Sequence, residues 1–195
     1  MLINGRGTPT SIMASMRLTA LFLLFAAVSI VRADVSRCAC DPKVPESMKS
    51  RECSLCNEAE KRPAGEEFFI LKDINPRKPG RWLVLPVAHG TAQHHFRDLP
   101  KPRRDKLWHE AIRFATEKFG DQWGLAYNGE RARTQCHLHL HVGRFIQAAE
   151  ESGAITVKRI EDIPAPEEGG IWVHPVASGY HVHLGDQITE TTLVR

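Results

Sequence analysis

The chain has no Walker loop, no Gly-x-Ser-x-Gly elbow and no Rossmann fingerprint. It therefore lacks the short signals of P-loop nucleotide hydrolysis, of α/β-hydrolase chemistry and of dinucleotide binding. It has no internal repeat and no low-complexity tract. Its N-terminal apolar run, residues 18–31, is shorter than the roughly 20 residues that a membrane-spanning helix needs. Acidic residues are missing from residues 1–33, which hold Arg6, Arg17 and Arg32. Without those three arginines the formal net charge of +3 becomes zero. No charge surplus then recommends a nucleic-acid polymer as partner. What is present is an ordinary globular composition, 42% hydrophobic and 25% charged over 195 residues, enough for one domain.

Arg17, the run 18–31 and the small residue Ala33 have the layout of a secretory signal peptide cleaved after Ala33. Met13 and Met16 are alternative starts, and an uncleaved anchor is the competing reading. Arg37 directly before Cys38 argues against lipoprotein processing. Export to a periplasm or the extracellular space is the expectation.

The most informative stretch is Arg133-Thr134-Gln135-Cys136-His137-Leu138-His139-Leu140-His141-Val142-Gly143. A period of two is that of a strand, with Leu138, Leu140 and Val142 on a core face and the three histidines on the other. At about 3.3 Å per residue, His137 and His141 are roughly 13 Å apart with His139 between them. That is too wide for one metal ion. It suits a middle imidazole that does chemistry and neighbours that assist. A half-exposed strand face accounts for a single histidine without any site, whereas three in alternation point to one. Asn128-Gly129 is a hairpin signal just upstream. Antiparallel pairing would bring Asn128 beside the histidines, where its amide can bond a phosphate or sugar oxygen. Arg131 and Arg133 add local positive charge beside the triad.

These residues resemble the histidine triad (HIT) superfamily of nucleotide hydrolases and transferases. The Arg133-Thr134-Gln135 lead-in is similar to that of the CDP-diacylglycerol pyrophosphatase branch. His139 and His141 match that branch, whereas His137 is closer to the general triad hydrolases, whose Gly-Gln-Ser lead-in is missing here. The resemblance implies an α+β fold in which one long helix packs on an antiparallel sheet. It implies that His139 attacks an α-phosphorus, with His141 and His137 assisting and Asn128, Thr134 and Gln135 binding the phosphoryl oxygens. The substrate would be a small nucleotide conjugate, a CDP-lipid among them. A homodimer through the helix and a sheet edge is also compatible with the resemblance.

Five cysteines are present: Cys38, Cys40, Cys53, Cys56 and Cys136. Cys136 shares the parity of Leu138 and reads as a buried core thiol. Cys53-Ser54-Leu55-Cys56 has the gap of a zinc knuckle, and a Cys53–Cys56 disulfide competes with it. By the resemblance, a structural Zn2+ site would combine Cys53 and Cys56 with His89 and His137. Cys38 and Cys40 would pair or extend a metal site. A thiol redox role for Cys53 and Cys56 ranks last, because no βαβ context surrounds them.

Residues 66–71 and 81–86 read as a hairpin, with a turn through Asp73, Asn75, Pro76 and Gly80. Pro100 and Pro102 announce a helix over 103–119, with Leu107, Ala111, Ile112, Ala115 and Phe119 on one face and Gly120 as its stop. Residues 124–127 form a third strand before the triad strand. His94 and His95 read as a solvated turn. Beyond Gly143 the resemblance fades, leaving strands at 154–158, 171–175 and 180–184. His174, His181 and His183 read as surface or pocket-rim residues, with a second metal site as the alternative. The domain plan is a signal peptide at 1–33, a cysteine-containing segment at 34–52, a HIT-like domain at 53–147 and a C-terminal β extension at 148–195. A nucleotidyl-histidine hydrolase or transferase is the expected function; the alternative is a non-catalytic exported zinc-binding module.

Overall fold

A computed structural model describes Val35, residues 38–88 and residues 95–195. The signal-peptide reading and His89 lie outside the described residues. Two α-helices are present among them, the short α1 (Ser54–Glu60) and the long α2 (Lys101–Phe119). Seven strands follow the chain as β1 (Phe68–Lys72), β2 (Trp82–Pro86), β3 (Trp123–Tyr127), β4 (Leu140–Arg144), β5 (Ile155–Val157), β6 (Ile171–Val176) and β7 (Gly179–Leu184). They form one antiparallel sheet in the order β1-β2-β4-β3-β6-β7-β5. The protein is therefore α+β, with one long helix on an antiparallel sheet. The C-terminal strands extend that same sheet, because β6 pairs with β3.

Helix α2 begins at the two prolines and ends at Gly120, whose φ of 60° few other residues adopt readily. Its buried stripe is Leu107, Trp108, Ala111, Ile112 and Ala115. The stripe packs on one face of the sheet with Val84, Leu125, Leu140, Val142, Val173 and Val182. This is the main core. On the opposite face, directly paired residues form a row across five strands: Leu83, His141, Ala126, Trp172 and His183. Two separate pieces cover this second face. Near its β1 edge, Leu55 and Ala59 of α1 pack with Phe69, Leu83 and Leu85. Near the middle, Leu193 packs with Ala126, Phe145 and Trp172.

The C-terminal segment has room because Gly124 and Gly143 face each other across β3 and β4. A Cβ on Gly124 would stand 2.6 Å from Leu193 Cδ2. The segment is also tied by its backbone, with Val194 N donating to Arg144 O and Ile146 N to Thr192 O. Arg81, 2% exposed, donates to the carbonyls of Leu193 and Val194 and to Glu190 Oε2.

The cysteines differ from expectation. Cys38 bonds Cys136, and Cys40 bonds Cys53. Cys136 is thus not a free core thiol, and the Cys53–Cys56 disulfide is not formed. Cys56 is free and fully buried, and burial pushes its thiol up to about 11. The pairings fit an oxidising compartment. The 98-residue separation of Cys38 and Cys136 makes that cross-link worth about 4–5 kcal/mol on a chain-entropy account.

A thiol reagent is therefore expected to find no reactive cysteine in the native protein and one per chain in denaturant. After reduction in denaturant it is expected to find five. Two or more thiols in unreduced, denatured protein would contradict the pairing.

Candidate functional site

The triad stretch is a strand only from Leu140 onward. The apolar half of the expected alternation holds, since Leu138, Leu140 and Val142 all enter the main core. The segment before Leu140 bonds elsewhere. Cys136 is cross-linked to Cys38 and its N–H donates to Glu52 O. Gln135 donates to Arg51 O and accepts from Ser54 Oγ. The lead-in is thereby fastened to the segment that opens α1 instead of to a neighbouring strand.

The three histidines consequently have different surroundings. His137 donates through Nε2 to Pro86 O at 2.7 Å and meets the Phe69 ring edge-on. It does not line the cleft described below. His139 donates through Nδ1 to His137 O at 2.8 Å. That bond places the proton on Nδ1 and leaves the Nε2 lone pair bare. The His139 and His141 rings meet edge to face, with centroids 4.8 Å apart. His141 Nε2 is 3.5 Å from Asn128 Nδ2, and its Nδ1 is 3.5 Å from Glu190 Oε2.

A cleft of about 420 Å³ opens over His139 and His141. Ser54, Leu55 and Glu58 of α1 line it, as do Asn128 and Glu190. Thr134, Gln135 and Arg133 reach it from the lead-in, and Asp73, Asn75 and Lys78 from the β1–β2 turn. The structure thus gathers His139, His141, Asn128, Thr134 and Gln135 around one space and leaves His137 behind it. Asn128 has a second task. Its Oδ1 accepts from Thr189 N, Thr189 Oγ1 and Glu190 N, which binds the C-terminal segment to the end of β3. Gln135 is engaged by Arg51 and Ser54, so its amide chiefly braces the lead-in.

Burial decides the charge on the imidazoles. His139 is pulled down to about 4, first by loss of solvent and further by the nearby Arg133; the hydrogen bond to His137 O opposes this. Burial also holds His141 well below its ordinary value, aided by His139, Lys78 and Arg81. Both rings are neutral at neutral pH. Glu190 Oε2 collects Lys78 Nζ at 2.5 Å and Arg81 at 2.9 Å as well as His141. Sequence reasoning missed Glu190, Lys78 and Arg81. Glu190 lies in the segment where motif resemblance had ended, and only its return across the sheet brings it to the site.

The expected zinc set of Cys53, Cys56, His89 and His137 is not assembled among the described residues. Cys53 is in a disulfide and offers no thiolate, Cys56 holds its proton because it is buried, and His137 Nε2 is committed to Pro86 O. The sulfurs of Cys40, Cys53 and Cys136 lie close together, but all are consumed in disulfides. His174, His181 and His183 do not rim the cleft; they converge on Glu150, as a His/Glu group that could bind a metal. No family model matches the chain. Fold and site define the class that can be stated: an α+β protein with a neutral histidine pair in a cleft on the face of its sheet opposite the long helix.

Substituting Asn128→Ala is expected to strand the buried Thr189 N–H and to cost about 1–3 kcal/mol. Limited proteolysis should then cut the C-terminal segment faster than in the parent protein. Unchanged cleavage and an unchanged denaturation midpoint would show that Asn128 does not hold the segment.

Proposed function

We propose that this protein is a HIT-type hydrolase or transferase of nucleotide conjugates, acting at the α-phosphorus through a nucleotidyl-histidine on His139. The observation that carries the reading is the hydrogen bond from His139 Nδ1 to His137 O. It leaves Nε2 with the lone pair, on a ring that lines the cleft. In the first step that lone pair forms a P–N bond as the bond from the α-phosphorus to the leaving oxygen breaks. In the second step water attacks the same phosphorus, the P–N bond breaks and the imidazole is restored. Arg133, Thr134 and Asn128 line the space where phosphoryl oxygens gain charge.

The neutral state of His141 bears on substrate class. A phosphoanhydride leaves as a phosphate anion and needs no proton at departure. A phosphoramidate leaves as an amine and needs one. Burial keeps the His141 ring unprotonated, which matches an anhydride whose departure takes no proton. His141 then serves as a hydrogen-bonding partner aligned by Asn128 and Glu190. His137 orients His139 through its carbonyl, and its ring takes no part. Leu55, Leu71, Ile74 and Leu83 give the cleft an apolar wall. That wall suits a nucleobase or the lipid end of a CDP-lipid. The signal-peptide layout and the two disulfides support placing the reaction outside the cytoplasm.

The test uses nucleoside diphosphate conjugates, CDP-diacylglycerol included, labelled at the α-phosphorus. An acid-labile label on the protein and turnover are expected, with His139→Ala reducing turnover by at least about 10³-fold and abolishing the label. Equal turnover by that variant would remove the nucleophile assignment. Absence of both label and turnover across the panel would favour a binding module. The pH profile is a separate check. Because the neutral ring is the reactive form and its value lies near 4, kcat/KM should stay level from pH 7 to about 5 and fall as pH drops through about 4. A bend near 6.5 would mean an ordinary, solvated imidazole.

A further inference from the structure

We infer that Glu150, His174, His181 and His183 form a second site, a closed four-ligand centre for a divalent transition metal, with zinc the best fit. The four residues are assembled by the sheet extension. His174 stands directly opposite His181 in the β6–β7 hairpin, and His183 is two residues along from His181. All three rings therefore share one face. The turn after β4, Gln147–Ala149, delivers Glu150 onto that face. Its carboxylate oxygens are 2.5 Å from His174 Nε2, 3.0 Å from His181 Nδ1 and 3.4 Å from His183 Nε2. One ligand atom from each residue lies within 4.8 Å of all the others. Donors about 2.0–2.1 Å from a tetrahedral zinc are about 3.3 Å from one another, so small side-chain shifts close the set.

Two observations argue for an ion over a simple hydrogen-bonded cluster. His174 and His183 are 4% and 7% exposed, and their Nε2 atoms are sealed from solvent. Both Nε2 atoms face the Glu150 carboxylate without a well-directed hydrogen bond to it, while His181 Nδ1 makes one. Buried nitrogens crowded on one carboxylate without a well-directed hydrogen bond are what a shared metal would satisfy. The rings are also already fixed. His174 stacks on Phe145 at 4.0 Å and His183 on Trp172 at 3.5 Å. His174 Nδ1 donates to Pro175 O, which directs its other nitrogen inward as ligand. Three imidazoles and one carboxylate suit zinc, copper or nickel, and do not suit magnesium or calcium, which take oxygen ligands. With four protein donors no position is left for substrate, so the ion is structural. It would clamp the connection between β4 and β5 to the hairpin. None of these four residues lines the His139 cleft.

The experiment uses the exported chain, stripped with chelator and titrated with Zn2+ by calorimetry, with metal content measured after dialysis. One zinc per chain is expected. Glu150→Gln combined with His181→Ala should weaken binding by at least about 100-fold, while His139→Ala should leave it unchanged. The circular dichroism spectrum of metal-free Glu150→Gln/His181→Ala, matched to the metal-free parent, establishes that it folds. Cobalt substitution should give visible bands of a tetrahedral ion without the near-ultraviolet absorption of a thiolate ligand. Absence of stoichiometric zinc, undiminished zinc binding by the folded double variant, or a thiolate band dependent on Cys56 would each overturn the assignment.

Discussion

Strand β4 has to meet a different requirement on each face. Leu140 and Val142 bury against α2, while His141 between them looks the other way. The strand is central, between β2 and β3, so its backbone is paired on both sides. That pairing fixes which face each side chain occupies, because a slip of one residue would send the histidine into the core and the leucine into the cleft. The cleft, the neutral histidines and the covering segments all follow from this register.

The lead-in to β4 is governed by cross-links. The family resemblance implies an ion fixing this segment. The Cys38–Cys136 disulfide performs that task, helped by the bonds from Gln135 and Cys136 to Arg51 and Glu52. His139 follows three residues after Cys136, so the carbonyl that orients it belongs to a segment with little freedom. Removing water from the two rings raises the free energy of their charged forms and leaves the neutral imidazole dominant. Glu190 offsets the cationic Lys78 and Arg81 at the same site.

Two groups of histidines therefore occupy one face of one sheet and differ in what they face. His139 and His141 meet an open cleft of about 420 Å³. His174, His181 and His183 meet a single carboxylate, with aromatic rings stacked behind two of them. The first arrangement leaves a lone pair facing an open cleft. The second closes on that carboxylate.

The elements were readable because each depends on local order. Period-two alternation marked the histidine stretch, apolar runs between turn residues marked the other strands, the prolines and Gly120 bounded α2, and the stripe at Leu107, Ala111, Ile112 and Ala115 marked its buried side. His139 and His141 stood out for the same reason. Short helix α1 was hidden by cysteines that read as a knuckle. Which cysteines pair, that His137 turns to Pro86, that Glu190 returns to the site and that Glu150 meets three histidines were settled only in the folded chain. Each joins residues far apart in sequence, and spacing along a chain carries no information about a distance that the packing of a sheet creates.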